Sequence, residues 1–151
     1  MKNNTKTITD LKDLVLIVND GKEGYKVAAE ATGDLFLKEL FLKLMQERML
    51  FEQELKTALL KLGAVEENEK GGVLGFIHRS WLEIKDALNT RDEAAILNAI
   101  KTGEQAALHK YDFYIDHYAD NQAELTLLLK HRSGILNALK EVEELYKQYT
   151  N

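Results

Sequence analysis

The chain has 151 residues, 45% of them hydrophobic and 30% charged, with a net charge of -5 and neither proline nor cysteine. That balance fits one globular domain over residues 1–151 and excludes a disordered chain; the lack of cysteine excludes disulfides and thiolate metal centres and fits a reducing cytoplasm. The acidic balance argues against nucleic acid, no run approaches the roughly 18 apolar residues of a membrane span, and the opening MKNNTKTITD has no apolar signal core, so a cytoplasmic protein is expected.

The first predicted helix starts near Thr7 to Asp10 and keeps Leu11, Leu14, Val15, Val18, Gly21, Tyr25 and Ala28 on one stripe. Gly21 and Gly24 within it each cost about 1 kcal/mol relative to alanine, which suggests close approach of a neighbouring helix or a large side chain, with a local kink as the plain alternative. Gly33 is expected to end this helix in the left-handed conformation, and Asp34 to cap the second, which runs to Leu62 with Gly63 as its stop. The short link makes the two an antiparallel hairpin.

Residues 63–91 break the long-helix pattern. A polar loop, VEENEKGG, precedes a short amphipathic helix with Ile77, Trp81, Ile84 and Leu88 on one side, expected to lie across one end of the bundle. A connection of that length lets the third helix run parallel to the second. The third helix opens on a capping box, Thr90 to Glu93, and turns Ile96, Ile100, Gly103, Ala107, Tyr111 and Tyr114 inward. The fourth opens near Asn121 to Glu124 and turns Leu125, Leu128, Ile135, Leu139, Val142 and Tyr146 inward. The fold expected is all-α, an up-down-down-up four-helix bundle with a long crossover between the second and third helices.

Several polar residues fall on inward stripes: Glu47 and Arg48 in the second helix, Glu104 in the third and His131 in the fourth, at about the same height. A dinuclear carboxylate site in such a bundle needs Glu-x-x-His on two helices, and the sequence has none: Leu50 follows Glu47 by three and Leu128 precedes His131 by three. A reduced site of Glu47, Glu104 and His131 holding one iron or zinc ion is one reading. The favoured reading is structural: Arg48 pairs with Glu104 or Glu47, His131 and a tyrosine such as Tyr111 complete the hydrogen bonds, and the cluster fixes helix register. Glu23 falls towards solvent unless the frame shifts. His78 and Arg79 beside Trp81 read as solvated surface, with a small anion or partner site as the sharper alternative. His109 and His117 are too far apart to chelate, and the tyrosines around them, Tyr111, Tyr114 and Tyr118, read as core edge or dimer interface. No phosphate loop or nucleophile motif is present.

The words DGKEGYKVAAE (Asp20 to Glu30), QERMLFEQEL (Gln46 to Leu55), Leu62-Gly63, HRSW (His78 to Trp81) and TGEQAALHKY (Thr102 to Tyr111) resemble the bacterial ferritin-like four-helix-bundle proteins classed as domain of unknown function 2383. The resemblance implies a ferritin-like bundle and supports the crossover topology, without implying an activity. Where ferritins carry a Glu-x-x-His in the second helix this chain has Arg48 to Phe51, which argues against ferroxidase chemistry. The function expected is therefore that of a non-enzymatic protein that self-associates as a homodimer or binds a protein partner, with a structural polar cluster and no cofactor. The alternative is a metal-binding redox or storage-related protein using iron or zinc.

Overall fold

The described residues form four long α-helices, α1 Thr5–Ala31, α2 Leu35–Lys61, α3 Glu93–Ile115 and α4 Gln122–Thr150, with a 3-10 turn, Asp116–Tyr118, after α3. The computed structural model describes residues 4–65, 81, 86–87, 90, 92–118 and 122–150. The helices form because apolar residues recur at three-to-four spacing with no proline to interrupt them. Helix α1 starts at Thr5, ahead of the expected site, and its inward stripe is the predicted one: Leu11, Leu14, Val18, Tyr25 and Ala28 are fully buried.

Helix α1 does not end on a left-handed glycine. Thr32 turns extended (φ -69°, ψ 139°) and closes the helix through its N–H to the Ala28 carbonyl, and Gly33 keeps ordinary backbone angles. Asp34 caps α2 as predicted, its carboxylate accepting from the Leu37 N–H at 3.1 Å. At the far end Gly63 takes φ 87°. Gly63→Ala should therefore cost about 1 kcal/mol, measured by urea unfolding; an unchanged midpoint would mean the turn re-forms without left-handed backbone.

The predicted capping box at α3 is not what the residues do. Asp92 is the N-cap, accepting from the Ala94 N–H at 3.0 Å, while Thr90 donates to the Ala87 carbonyl and accepts from the Asp92 N–H. Glu93 reaches out of the helix instead: its carboxylate accepts from the Thr32 hydroxyl and from the Gly33 N–H at 3.1 Å. A Glu that ties down a neighbouring turn gains more partners than one bonding its own cap. Glu93→Ala should release the α1–α2 turn, costing about 1 kcal/mol, with faster amide exchange at Gly33 as the specific mark. The expected cap at Asn121 lies outside the described residues.

Cross-helix contacts fix the directions. The end of α1 meets the start of α3 (Thr32 to Glu93), and its start meets the end of α3 (Asp13 to Tyr114, Asp10 to Tyr118). The start of α2 meets the end of α4, where the Tyr149 hydroxyl donates to Asp34. Helices α2 and α3 therefore run parallel and stand diagonally, and every adjacent pair is antiparallel. This is the up-down-down-up order expected from the long crossover. Among the described residues, no helix is long and apolar enough to cross a membrane.

The apolar interior has two halves. One gathers Tyr25, Leu37, Phe41, Trp81, Ile96 and Val142; the other gathers Leu11, Leu14, Phe51, Leu55, Tyr111 and Ile135. Trp81 does not cover one end of the bundle, as the sequence suggested. It is 2% exposed and packs against glycines of both α1 and α3. Ideal Cβ atoms on Gly24 and Gly103 would each lie 2.3 Å from its indole. An indole is too large to enter beside a helix that carries Cβ atoms there, so the glycines are what admit it. The short helix expected around Trp81 lies largely outside the described residues.

Candidate functional site

Arg48 and Glu104 lie between the two apolar halves, whereas His131 lies inside the second half, between Leu128 and Ile135, so the inward polar residues are not at one height as the sequence suggested. Arg48, Glu104 and His131 are all 0% exposed, an unusual burial for charged side chains. Each comes from a different helix; Arg48 and Glu104 stand at the height where α1 offers Gly21, and His131 stands level with Glu54, further along α2. A Cβ at Gly21 would lie 2.6 Å from Arg48 Nη1, so this glycine is the space that the guanidinium occupies.

Arg48 Nη2 donates to Glu104 Oε2, and the Tyr25 hydroxyl donates to the same oxygen at 2.6 Å. The guanidinium also stands over the Tyr25 ring, 5.6 Å from its centroid. Burial opposes the charge on Arg48, but Glu104 and Tyr25 outweigh it and hold the proton more firmly than in water. Burial and the Glu104 carboxylate push the Tyr25 phenol far above its usual range, so it stays a donor. Glu47 is half-buried on the α4 side of this pair, its Oε1 3.3 Å from where a Cβ on Gly134 would stand. Burial raises its carboxyl above the ordinary range despite the pull of Arg48. Four buried atoms here have no hydrogen-bond partner: Glu47 Oε1, Arg48 Nε and Nη1, and Glu104 Oε1.

His131 belongs to a second chain of bonds. The Tyr111 hydroxyl lies 2.9 Å from His131 Nδ1, and His131 Nε2 lies 2.9 Å from Glu54 Oε1. The other Glu54 oxygen takes Lys130. A neutral imidazole satisfies both ends if Tyr111 donates to Nδ1 and Nε2–H donates to Glu54. Phe51 stacks on the imidazole with centroids 4.1 Å apart, in the space that Gly134 leaves open. Burial lowers the His131 pKa from 6.5 to about 4, with the Glu54 hydrogen bond opposing the drop and Lys130 and Arg48 adding to it. Burial tends to raise the Glu54 carboxyl, yet its bonds to Lys130 and His131 outweigh this and lower it.

These shifts give a pH dependence of stability. A histidine whose folded pKa is depressed binds its proton more readily in the unfolded chain, so its contribution is complete above about pH 6.5 and is lost as pH falls towards 4. Glu54 acts in the same direction at lower pH, and Glu47, with its raised carboxyl, acts in the opposite one. We expect on the order of 2 to 3 kcal/mol less stability at pH 4 than at pH 7 from His131. Urea midpoints for wild type and His131→Gln should converge as pH falls, and parallel curves would remove His131 as the titrating group.

The predicted metal ligands are not brought together. Glu104 is held by Arg48 and Tyr25, both imidazole nitrogens of His131 are engaged, and Glu47 stands on the far side of Arg48's charge. Among the described residues no three His, Cys, Asp or Glu side chains are grouped to hold a metal ion. A cation placed here would meet a guanidinium, so the side chains as they stand do not fit one. Of the expected cluster of Glu47, Arg48, Glu104, Tyr111 and His131, Arg48 joins Glu104 and Tyr111 joins His131, as two networks instead of one.

Other candidates resolve simply. Tyr114 and Tyr118 donate to Asp13 and Asp10 of α1, so this tyrosine face closes against its own chain. His109 and His117 are exposed, and His117 Nδ1 lies 3.0 Å from the Phe113 carbonyl. Glu23 is half-buried, and His78 and Arg79 lie outside the described residues. Sequence reasoning missed Tyr25 as a polar partner and missed Glu54. Both left a signal: Tyr25 stands on the stripe one turn from Gly21, and Glu54 stands seven residues from Glu47 on the same face of α2.

Neither a curated protein nor a solved structure matches the chain. The family described as Domain of unknown function (DUF2383) matches residues 6–117, from the first turn of α1 to the turn after α3. That stretch holds Tyr25, Arg48, Trp81 and Glu104, hence the Arg48–Glu104 network and the glycines that admit it, and the chain belongs to this family.

Proposed function

We propose that this chain is a non-enzymatic helical protein that acts by self-association, with its interior polar layer serving to hold the four helices in register. The observation that carries this reading is a contrast. The interior charges answer one another, whereas the outward face of α2 carries Leu35, Phe36, Leu42, Met49, Leu50 and Leu60, all more than a third exposed. Scattered exposed apolar residues are ordinary, but a concentration on one helix marks a contact surface. A cytoplasmic setting belongs to the same proposal and rests on the absence of cysteine. Sedimentation velocity over a wide range of concentrations tests it: species heavier than 17.2 kDa are expected, and a lone 17.2 kDa species throughout would overturn it.

The metal-binding reading, with Glu47, Glu104 and His131 holding iron or zinc, has one observation in its favour. Two carboxylate oxygens in the layer, Glu47 Oε1 and Glu104 Oε1, are buried without a partner. Metal there requires Arg48 to leave Glu104. Elemental analysis after purification without chelator and after aerobic iron or zinc loading separates the readings. Near-stoichiometric, non-exchanging metal that is lost in Glu104→Gln would replace the first reading with the second.

A further inference from the structure

We infer that the partner is a second copy of this chain, docked with the exposed seam of α2 antiparallel to itself in one register, an inference that rests on the self-association proposed above. The seam is read from the helix. Leu35, Glu39, Leu42, Gln46, Met49, Gln53, Lys56 and Leu60 follow the alternating four-three spacing of a coiled-coil stripe. Each of them is exposed or half-exposed, so among the described residues no neighbouring helix covers the stripe. Leu35 and Leu60, at its two ends, are 78% and 57% exposed.

Turned about a two-fold axis between Gln46 and Met49, the stripe becomes its own complement. Leu35 falls on Leu60, Glu39 on Lys56, Leu42 on Gln53 and Gln46 on Met49, each pairing occurring twice. The apolar ends meet apolar ends, the one acid meets the one base, and the centre joins an amide to a thioether. Parallel pairing gives the opposite result, because Glu39 would then face Glu39 and Lys56 would face Lys56. An antiparallel slip of one heptad sets Met49 against Glu39, or Lys56 against Gln46, and loses both charge pairs. Charge complementarity therefore selects one partner, one direction and one register. Lys56 Nζ stands 3.7 Å from Glu52 within the chain and is 39% exposed, which leaves its ammonium within reach of a partner's carboxylate. With polar residues at half of its positions, the seam forms a modest, concentration-dependent contact instead of an obligate one.

The chain has no cysteine, so any introduced thiol is the only one present. Leu35→Cys and Leu60→Cys chains, oxidised separately and then as a mixture, test the register directly. The expected result is a crosslinked species of twice 17.2 kDa in the mixture and little in either variant alone. Both positions are exposed, so folding should be unaffected, and circular dichroism confirms this before oxidation. As a second measurement without thiols, Glu39→Lys should weaken association about tenfold, and Glu39→Lys with Lys56→Glu should restore it. A monomer at every concentration would overturn both this inference and the self-association reading. Wild-type dimers whose mixed thiols fail to crosslink, or whose Glu39→Lys variant associates unchanged, would overturn the α2 register and leave self-association by another face.

Discussion

Glu104→Gln should unfold the chain about 3 to 5 kcal/mol more easily than wild type. The amide keeps the shape of the side chain and can still bond Tyr25, but it cannot neutralise the guanidinium of Arg48, which is 0% exposed. Removing one partner of a buried pair leaves an uncompensated charge, which costs far more than the pair itself contributes. For a chain of this size that is a fall in melting temperature on the order of 10 °C. Replacing both partners, Arg48→Met with Glu104→Leu, should recover most of the loss, since a well-packed apolar pair can equal a buried ion pair in stability. The two results together separate a stability role from a register role. If the double variant is as stable as wild type yet loses sharp NMR dispersion, the pair specifies packing. If Glu104→Gln alone costs less than about 1 kcal/mol, Glu47 has taken over the charge and the layer is more adaptable than its burial implies.

Trp81→Ala is the second large effect, about 3 to 5 kcal/mol, because it empties the space between α1 and α3 that the indole fills. Its more specific consequence is a change of sign at Gly103. In the wild-type background Gly103→Ala puts a Cβ 2.3 Å from the indole and should destabilise by about 1 to 3 kcal/mol. In the Trp81→Ala background the same change finds open space and should stabilise, since alanine exceeds glycine in helix propensity by about 1 kcal/mol. A double-mutant cycle with urea unfolding reads the coupling. Equal effects of Gly103→Ala in both backgrounds would show that the indole does not occupy this space in solution.

The sequence by itself determined what depends on local periodicity and on chain length between elements. The inward stripe of α1, the Asp34 cap, the Gly63 stop and the parallel course of α2 and α3 were all legible, because helical spacing, cap chemistry and crossover length act within a few residues or a single link. The cost of Gly21 and Gly24 in a helix also signalled a close approach or a kink there, without distinguishing between them. What the sequence did not determine is which group fills each gap. Arg48 lies under Gly21, while Trp81, from a segment more than fifty residues along the chain, lies against Gly24. Only the packing of α1 on α2 and α3 settles that choice, since it depends on rotation and axial offset that no single helix encodes. The partners of the polar layer divide in the same way. An Arg on an inward stripe requires an acid, but whether Glu47 or Glu104 supplies it depends on which carboxylate the diagonal arrangement of α2 and α3 brings across the core. His131 took Glu54 of the adjacent α2 because that helix runs antiparallel to α4 and sets the two residues level.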